Sequence, residues 1–129
     1  MLAQVHQPSF IRIVLIEDND TTQSLLDRYF SIEDDIVVIG KASRGWDGLE
    51  LVRKLQPDLV LTDYNLPDIS GTLIASTLHT KMPDVAVVVM SVDNDPRLAD
   101  QSRQSGARAF VVKDGDPEPI LNAIRRYAC

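Results

Sequence analysis

Five short apolar runs punctuate the chain: Ile11 to Ile16, Ile36 to Ile39, Leu59 to Leu61, Val85 to Met90 and Ala109 to Val112. They are rich in valine and isoleucine and mostly unbroken by polar residues, the pattern of strands buried on both faces. The segments between them have helical spacing. The first sets Thr22, Leu25, Leu26 and Tyr29 on one face, three and four residues apart. Asp20 stands ahead of it with Gln23 three residues on, a variant of the capping box. A second helix is predicted over Trp46 to Leu55, with Leu49, Val52 and Leu55 inward and Pro57 as its stop. A third runs from about Gly71 to Thr80, with Ile74 and Leu78 inward. The fourth follows Pro96, a good first-turn residue, and ends at Gly106, a good C-cap. The fifth follows Pro117 and Pro119 and carries Ile120, Ala123, Ile124 and Tyr127.

Strand and helix thus alternate five times. That predicts an α/β fold with a parallel sheet covered by helices on both faces. Right-handed crossovers narrow the topology further, but the pattern alone leaves the strand order open.

A chain of 129 residues suffices for one domain with a real core and is too short for two. The expected organisation is a flexible lead-in at 1–9 followed by one domain over 10–129. The formal net charge of -6 argues against direct nucleic-acid binding by this chain, which needs a basic surface. No apolar run reaches the roughly 20 residues that span a membrane, and Met1 to Ser9 make a poor secretory signal. The single cysteine, Cys129, excludes an internal disulfide, and a cytoplasmic setting is expected.

Sites in open parallel sheets form beyond the carboxyl ends of the strands. Glu17 and Asp18 follow the first run, Thr62 and Asp63 the third, Ser91 the fourth and Lys113 the fifth. Only the second ends blandly, in Gly40 and Lys41. Each residue alone has an ordinary explanation as a cap, a turn or a surface charge. The coincidence carries the argument: three carboxylates, a hydroxyl and an ammonium are delivered to one sheet edge. Carboxylates brought together raise one another's pKa, and a hard divalent cation relieves the repulsion. All-oxygen ligands suit Mg2+, with Mn2+ as a substitute. A carboxylate beside such an ion can attack phosphorus, with the lysine and the hydroxyl stabilising the transferred group. His6 and His79 are isolated and have no assigned role.

Four segments in order resemble the receiver domains of two-component response regulators. They are Ile-Val-Leu-Ile-Glu-Asp-Asn (13 to 19), Pro-Asp-Leu-Val-Leu-Thr-Asp-Tyr-Asn-Leu-Pro (57 to 67) with Gly71, Val-Met-Ser (89 to 91) and Gly-Ala-Arg-Ala-Phe-Val-Val-Lys (106 to 113). The resemblance spans about Ile11 to Tyr127. It implies a flavodoxin-like, CheY-like doubly wound sheet of five parallel strands in the order 2-1-3-4-5 with five helices. It implies Asp63 as phosphoacceptor, Asp18 and Asp63 as Mg2+ ligands with the Asn65 backbone carbonyl, and Glu17 acting through water. Ser91 and Lys113 would bind the phosphoryl group, and Phe110 would be the aromatic switch residue. The implied partner is a sensor histidine kinase or a phosphotransfer protein. A homodimer through helices 1 and 5, or the helix 4 to helix 5 face, follows by family analogy.

Ser91-Val92 and Lys113-Asp114 resemble the NarL/LuxR-type branch, whose members usually carry a DNA-binding output domain after the receiver. Some positions depart from the commoner pattern. Glu17 stands where many members have Asp, Ser91 where Thr is commoner, and Phe110 has no phenol. Asp114 replaces a frequent cis-proline, so a trans peptide or a different loop path is expected after Lys113. Val92 is large for its place and is expected to hinder water. Two other functions remain open at this point. One is a non-phosphorylated pseudo-receiver scaffold, against which the intact acidic set speaks. The other is a phosphohydrolase of the haloacid dehalogenase type, which would usually have an acid where Asn65 stands.

Overall fold

The computed structural model describes residues 10–128, so the lead-in expected at 1–9 and Cys129 lie outside the described residues. The elements are β1 (Ile11–Ile16), α1 (Asp20–Ser31), β2 (Ile36–Ala42), α2 (Gly45–Leu55), β3 (Leu59–Asp63), α3 (Gly71–Lys81), β4 (Ala86–Ser91), α4 (Pro96–Gln104), β5 (Ala109–Val112) and α5 (Glu118–Tyr127). All strand pairs are parallel, in the order β2-β1-β3-β4-β5. The winding reverses between β1 and β3, which opens a crevice beyond their carboxyl ends.

The apolar runs are unbroken because each strand feeds two cores. Successive side chains point to opposite faces. Ile13, Leu15, Leu59, Leu61, Val88 and Met90 therefore pack with Leu26 and Phe30 of α1 and Ile120 and Ile124 of α5. Their neighbours Val14, Ile16, Val60, Val87 and Val89 pack on the other face with Val52 of α2 and Ile74 and Leu78 of α3. At about 25 cal/mol per Å2 of apolar surface removed from water, these two layers dominate the stability of the fold.

Helix ends follow local chemistry. The cap of α1 is Asn19, whose side chain accepts from Thr22 N–H at 2.9 Å; Asp20 is already the first helical residue. This corrects the capping box expected on Asp20. Gln23 donates instead to the backbone carbonyls of Glu17 and Ala42. Ser70 caps α3 through Leu73 N–H. Gly106 follows α4 with a φ of 105°, the left-handed turn expected of it.

One further expectation changes. β2 runs on to Ala42, because a bulge between Ile13 and Val14 skips Ile39 and keeps the pairing alive to Ile16 and Ala42. On the face that α1 shares among Thr22, Leu25, Leu26 and Tyr29, Leu26 is buried while Leu25 is 42% exposed.

Candidate functional site

Register brings the acidic residues together. Ile16 pairs with Thr62, so the next residues, Glu17 and Asp63, emerge side by side at the crevice. Glu17 is 1% exposed and Asp63 4%, while Asp18 faces solvent. Carboxylate oxygens of Glu17, Asp18 and Asp63 lie within 4.8 Å of one another. Asp63 is also in register with Met90, which puts Ser91 at the adjoining strand end. Lys113 N–H donates to the Ser91 carbonyl at 2.7 Å, extending the β4–β5 ladder by one residue. From there Lys113 Nζ donates to Glu17 Oε1 at 2.7 Å and to Asp63 Oδ1.

Glu17, Asp18, Asp63, Asn65, Ser91 and Lys113 all line one cleft of about 320 Å3. Phe110 stands apart from it. It pairs with Val89 in the β4–β5 ladder and packs half-buried against the layer under α2 and α3. Ser91 Oγ accepts from Asp93 N–H at 3.0 Å, holding the loop after β4. No cis peptide occurs among the described residues, so the Lys113–Asp114 bond is trans, as expected.

The charges of the cleft are interdependent. Burial pushes the Asp63 carboxyl up to about 8; a hydrogen bond to Glu17 adds to this, and the Lys113 ammonium opposes it. Burial also raises Glu17, but its bonds with Asp63, Lys113 and the Asn19 N–H outweigh that and hold it below the usual carboxylate range. Burial lowers Lys113, and the two carboxylates more than reverse the shift. The two carboxyls therefore titrate as a pair, with burial and Glu17 pushing Asp63 up and Lys113 and its neighbours holding Glu17 down. The donor set fits a hard divalent cation. Its atoms are all oxygen, three carboxylates converge, and the Asp18 side is open to water.

Several supporting residues gave no sequence signal of their role. An added Cβ on Gly71 would sit 2.2 Å from the Asp63 carbonyl oxygen, so the start of α3 closes on the backbone that carries Asp63. Gly71 N–H also donates to the Tyr64 carbonyl at 2.7 Å. The Tyr64 hydroxyl reaches Gln101 of α4. Asp68 caps α2 from a distance, accepting from Gly45 N–H at 2.8 Å and Trp46 N–H at 2.9 Å. Nothing in the sequence around Asp68 points to α2; only the fold shows that α2 lacks a side-chain cap of its own and borrows this one.

Comparison with known proteins agrees with this architecture. The family profile described as response regulator receiver domain matches residues 13–125. The nitrate/nitrite response regulator protein NarL of Escherichia coli K12 is 34% identical over 116 residues, covering 90% of this chain and 54% of that protein. The response regulator GacA of Pseudomonas aeruginosa is 31% identical over 116 residues, again 90% of this chain and 54% of that protein. The chain thus spans about half the length of these curated relatives. Among solved structures, the signal receiver domain of a NarL response regulator from Mycobacterium tuberculosis superposes with a TM-score of 0.89 at 28% identity. That match covers 94% of this chain and 98% of that one. No described helix is long and apolar enough to cross a membrane.

Proposed function

This chain belongs to the response-regulator receiver family, and on that footing we propose that it is a phosphorelay switch that accepts a phosphoryl group on Asp63. The observation that carries the reading is the meeting of Asp63 with Glu17 and Lys113 at the sheet's switch point. Two buried carboxylates and an ammonium at such a place have no need to exist for stability, since apolar residues would pack as well or better.

Asp18, Asp63 and the Asn65 carbonyl would hold a divalent cation, with Glu17 acting through water. Bound there, magnesium supplies the positive charge that lets Asp63 ionise and shields an incoming phosphoryl oxygen. The ionised Asp63 attacks phosphorus, a P–O bond to the carboxylate forms, and the donor leaves with its electron pair. Lys113 is already at Asp63 and need only turn its ammonium toward a phosphoryl oxygen. The Ser91 hydroxyl, which accepts from Asp93 N–H in this state, can donate its own proton to another. Transfer then depends on positioning and charge stabilisation, which this cleft supplies.

Phosphorylation adds negative charge between Lys113 and Ser91. In this reading Ser91 moves toward it and Phe110, three residues before Lys113, turns into the space released. The face of α4, β5 and α5 shifts between two populated states. The donor would be a phosphohistidine on a sensor kinase or phosphotransfer protein, and the output would be transcription through a domain outside this chain. The relatives named above are response regulators of that NarL type.

The test is to incubate parent and Asp63→Asn protein with magnesium and acetyl phosphate and to measure intact mass. The parent should gain one base-labile phosphoryl group and the variant none. An equal gain in both would remove Asp63 from the reaction.

A further inference from the structure

The uncovered side of α1 has a use. Leu25, Leu26 and Tyr29 of α1, Pro117 and Ile120 at the start of α5, and Val92 after β4 line one hollow. Together they line an apolar groove of about 230 Å3. Leu25 is 42% exposed and Val92 77%, two large apolar side chains left in water along the same groove. Thr22, Val92 and Lys113 line both this groove and the acidic cleft, so the two hollows are continuous.

In-line displacement at phosphorus sets the leaving group opposite the attacking oxygen. Asp63 is buried on the cleft floor and Val92 stands at its open rim. A leaving group on the open side of the cleft can reach Thr22 and Val92, which also line the apolar groove. A cavity of about 150 Å3 lined by apolar side chains is enough to bind benzene, so this groove has room for a ring. The exposed Asp116 on its rim disfavours a second negative charge on the donor.

We propose that this groove is a leaving-group subsite, selecting phosphodonors whose leaving group carries an apolar ring or branched chain over small ones. The proposal rests on the phosphoacceptor reading of Asp63. With benzoyl phosphate as the model donor, the Asp63 carboxylate forms a bond to phosphorus as the P–O bond to benzoate breaks. Benzoate leaves with the electron pair as its own carboxylate, and no proton need be supplied. The ring lies against Val92 and Leu25.

The experiment compares rates of phosphorylation by benzoyl and acetyl phosphate, at equal magnesium, in the parent, Leu25→Ser and Leu73→Ser. Leu73 is a similarly exposed leucine on α3, remote from the groove. The benzoyl-to-acetyl rate ratio should fall roughly tenfold in Leu25→Ser, the scale of losing one apolar contact in a substrate pocket, and stay put in Leu73→Ser. In parallel, benzoate but not acetate at the same concentration should shift the methyl NMR signals of Leu25 and Ile120 in the parent. A ratio unchanged by Leu25→Ser, or one equally changed by Leu73→Ser, overturns the subsite. Acetyl phosphate labelling in the parent that Asp63→Asn abolishes keeps the acceptor reading alive in that event, so the two ideas fail separately.

Discussion

Lys113 Nζ lies 2.7 Å from Glu17 Oε1, although 96 residues of chain separate them, and the same ammonium also binds Asp63. One lysine is thus the counter-charge of two buried carboxylates. Lys113→Met removes it and leaves Glu17 and Asp63 facing each other. Urea unfolding without metal at pH 7 should show a loss of about 1 to 3 kcal/mol. That is less than a stranded buried ion pair usually costs, because Asp63 can hold a proton. Saturating magnesium should recover part of the loss. Parent and variant of equal stability without metal would mean the lysine is not the compensating charge.

Asp63 should respond to pH in the opposite sense to an ordinary paired carboxylate. Its folded pKa, about 8, lies above the roughly 3.9 of an unfolded aspartate. Its contribution to stability is therefore fully present below about pH 4 and is lost as the pH climbs toward 8. A metal ion must displace that proton, so magnesium affinity should tighten through the same window. Calorimetric titrations at pH 6, 7 and 8 should show affinity rising at each step, with proton release that fades above pH 8. A flat affinity across those points would contradict the raised Asp63 pKa.

The Asp63→Asn variant separates charge from packing. It removes the carboxylate that burial and Glu17 both disfavour while keeping the shape of the side chain. The metal-free variant should be at least as stable as the parent at pH 8, and magnesium should no longer raise its melting temperature. Thermal scans with and without magnesium make the comparison. A magnesium increment that survives in the variant would place the ion elsewhere.

The elements were legible because sheet and helix periods differ so plainly in this chain. Runs such as Val85 to Met90 can only be strands wetted on neither face, and their alternation between two packed layers bears that out. The meeting of Glu17, Asp18, Asp63, Ser91 and Lys113 was legible for the same reason, since parallel strands deliver their ends to one edge. The strand order was not, and came from family resemblance. What stayed hidden depended on distance in three dimensions. Leu25 and Leu26 share one helical face, but nothing in their own segment says that Leu26 is covered and Leu25 is left 42% exposed. Asn19 rather than Asp20 caps α1 because backbone dihedrals, not residue type, decide which of two neighbouring cap formers is outside the helix.

Gly71 is small because the backbone at the end of β3 leaves no room. Gly71→Ala would place a methyl group 2.2 Å from the Asp63 carbonyl oxygen, a rigid neighbour that cannot step aside. Either α3 retreats or the end of β3 shifts. Overpacking of this kind costs about 1 to 3 kcal/mol. Because the displaced atom belongs to Asp63 itself, magnesium affinity should fall as well. Thermal melting and metal titration of the one variant test both effects, and a stable variant with parental affinity would show that the loop can yield.

Asp68 joins the site to α2. Arg44, at the cap position of α2, gives no side-chain hydrogen bond, and Asp68 supplies the acceptor from the loop after β3. One carboxylate oxygen takes Gly45 N–H and Ile69 N–H, and the other takes Trp46 N–H at 2.9 Å. Burial alone would raise its pKa, but these N–H groups, with that of Asp68 itself, hold it below the ordinary carboxylate range. Its stabilising effect is accordingly present above an unfolded aspartate's pKa and disappears as the pH falls below it. Asp68→Ala should cost about 1 kcal/mol, the usual loss for a helix cap. It should also free the loop that carries Asn65, the residue whose carbonyl is assigned to the metal, and so weaken magnesium binding without touching a ligand. Trp46, exposed in the first turn of α2, reports on the helix end by fluorescence, and calorimetry reports on the ion. A variant that melts earlier yet binds magnesium as the parent does would show that Asp68 serves the helix alone.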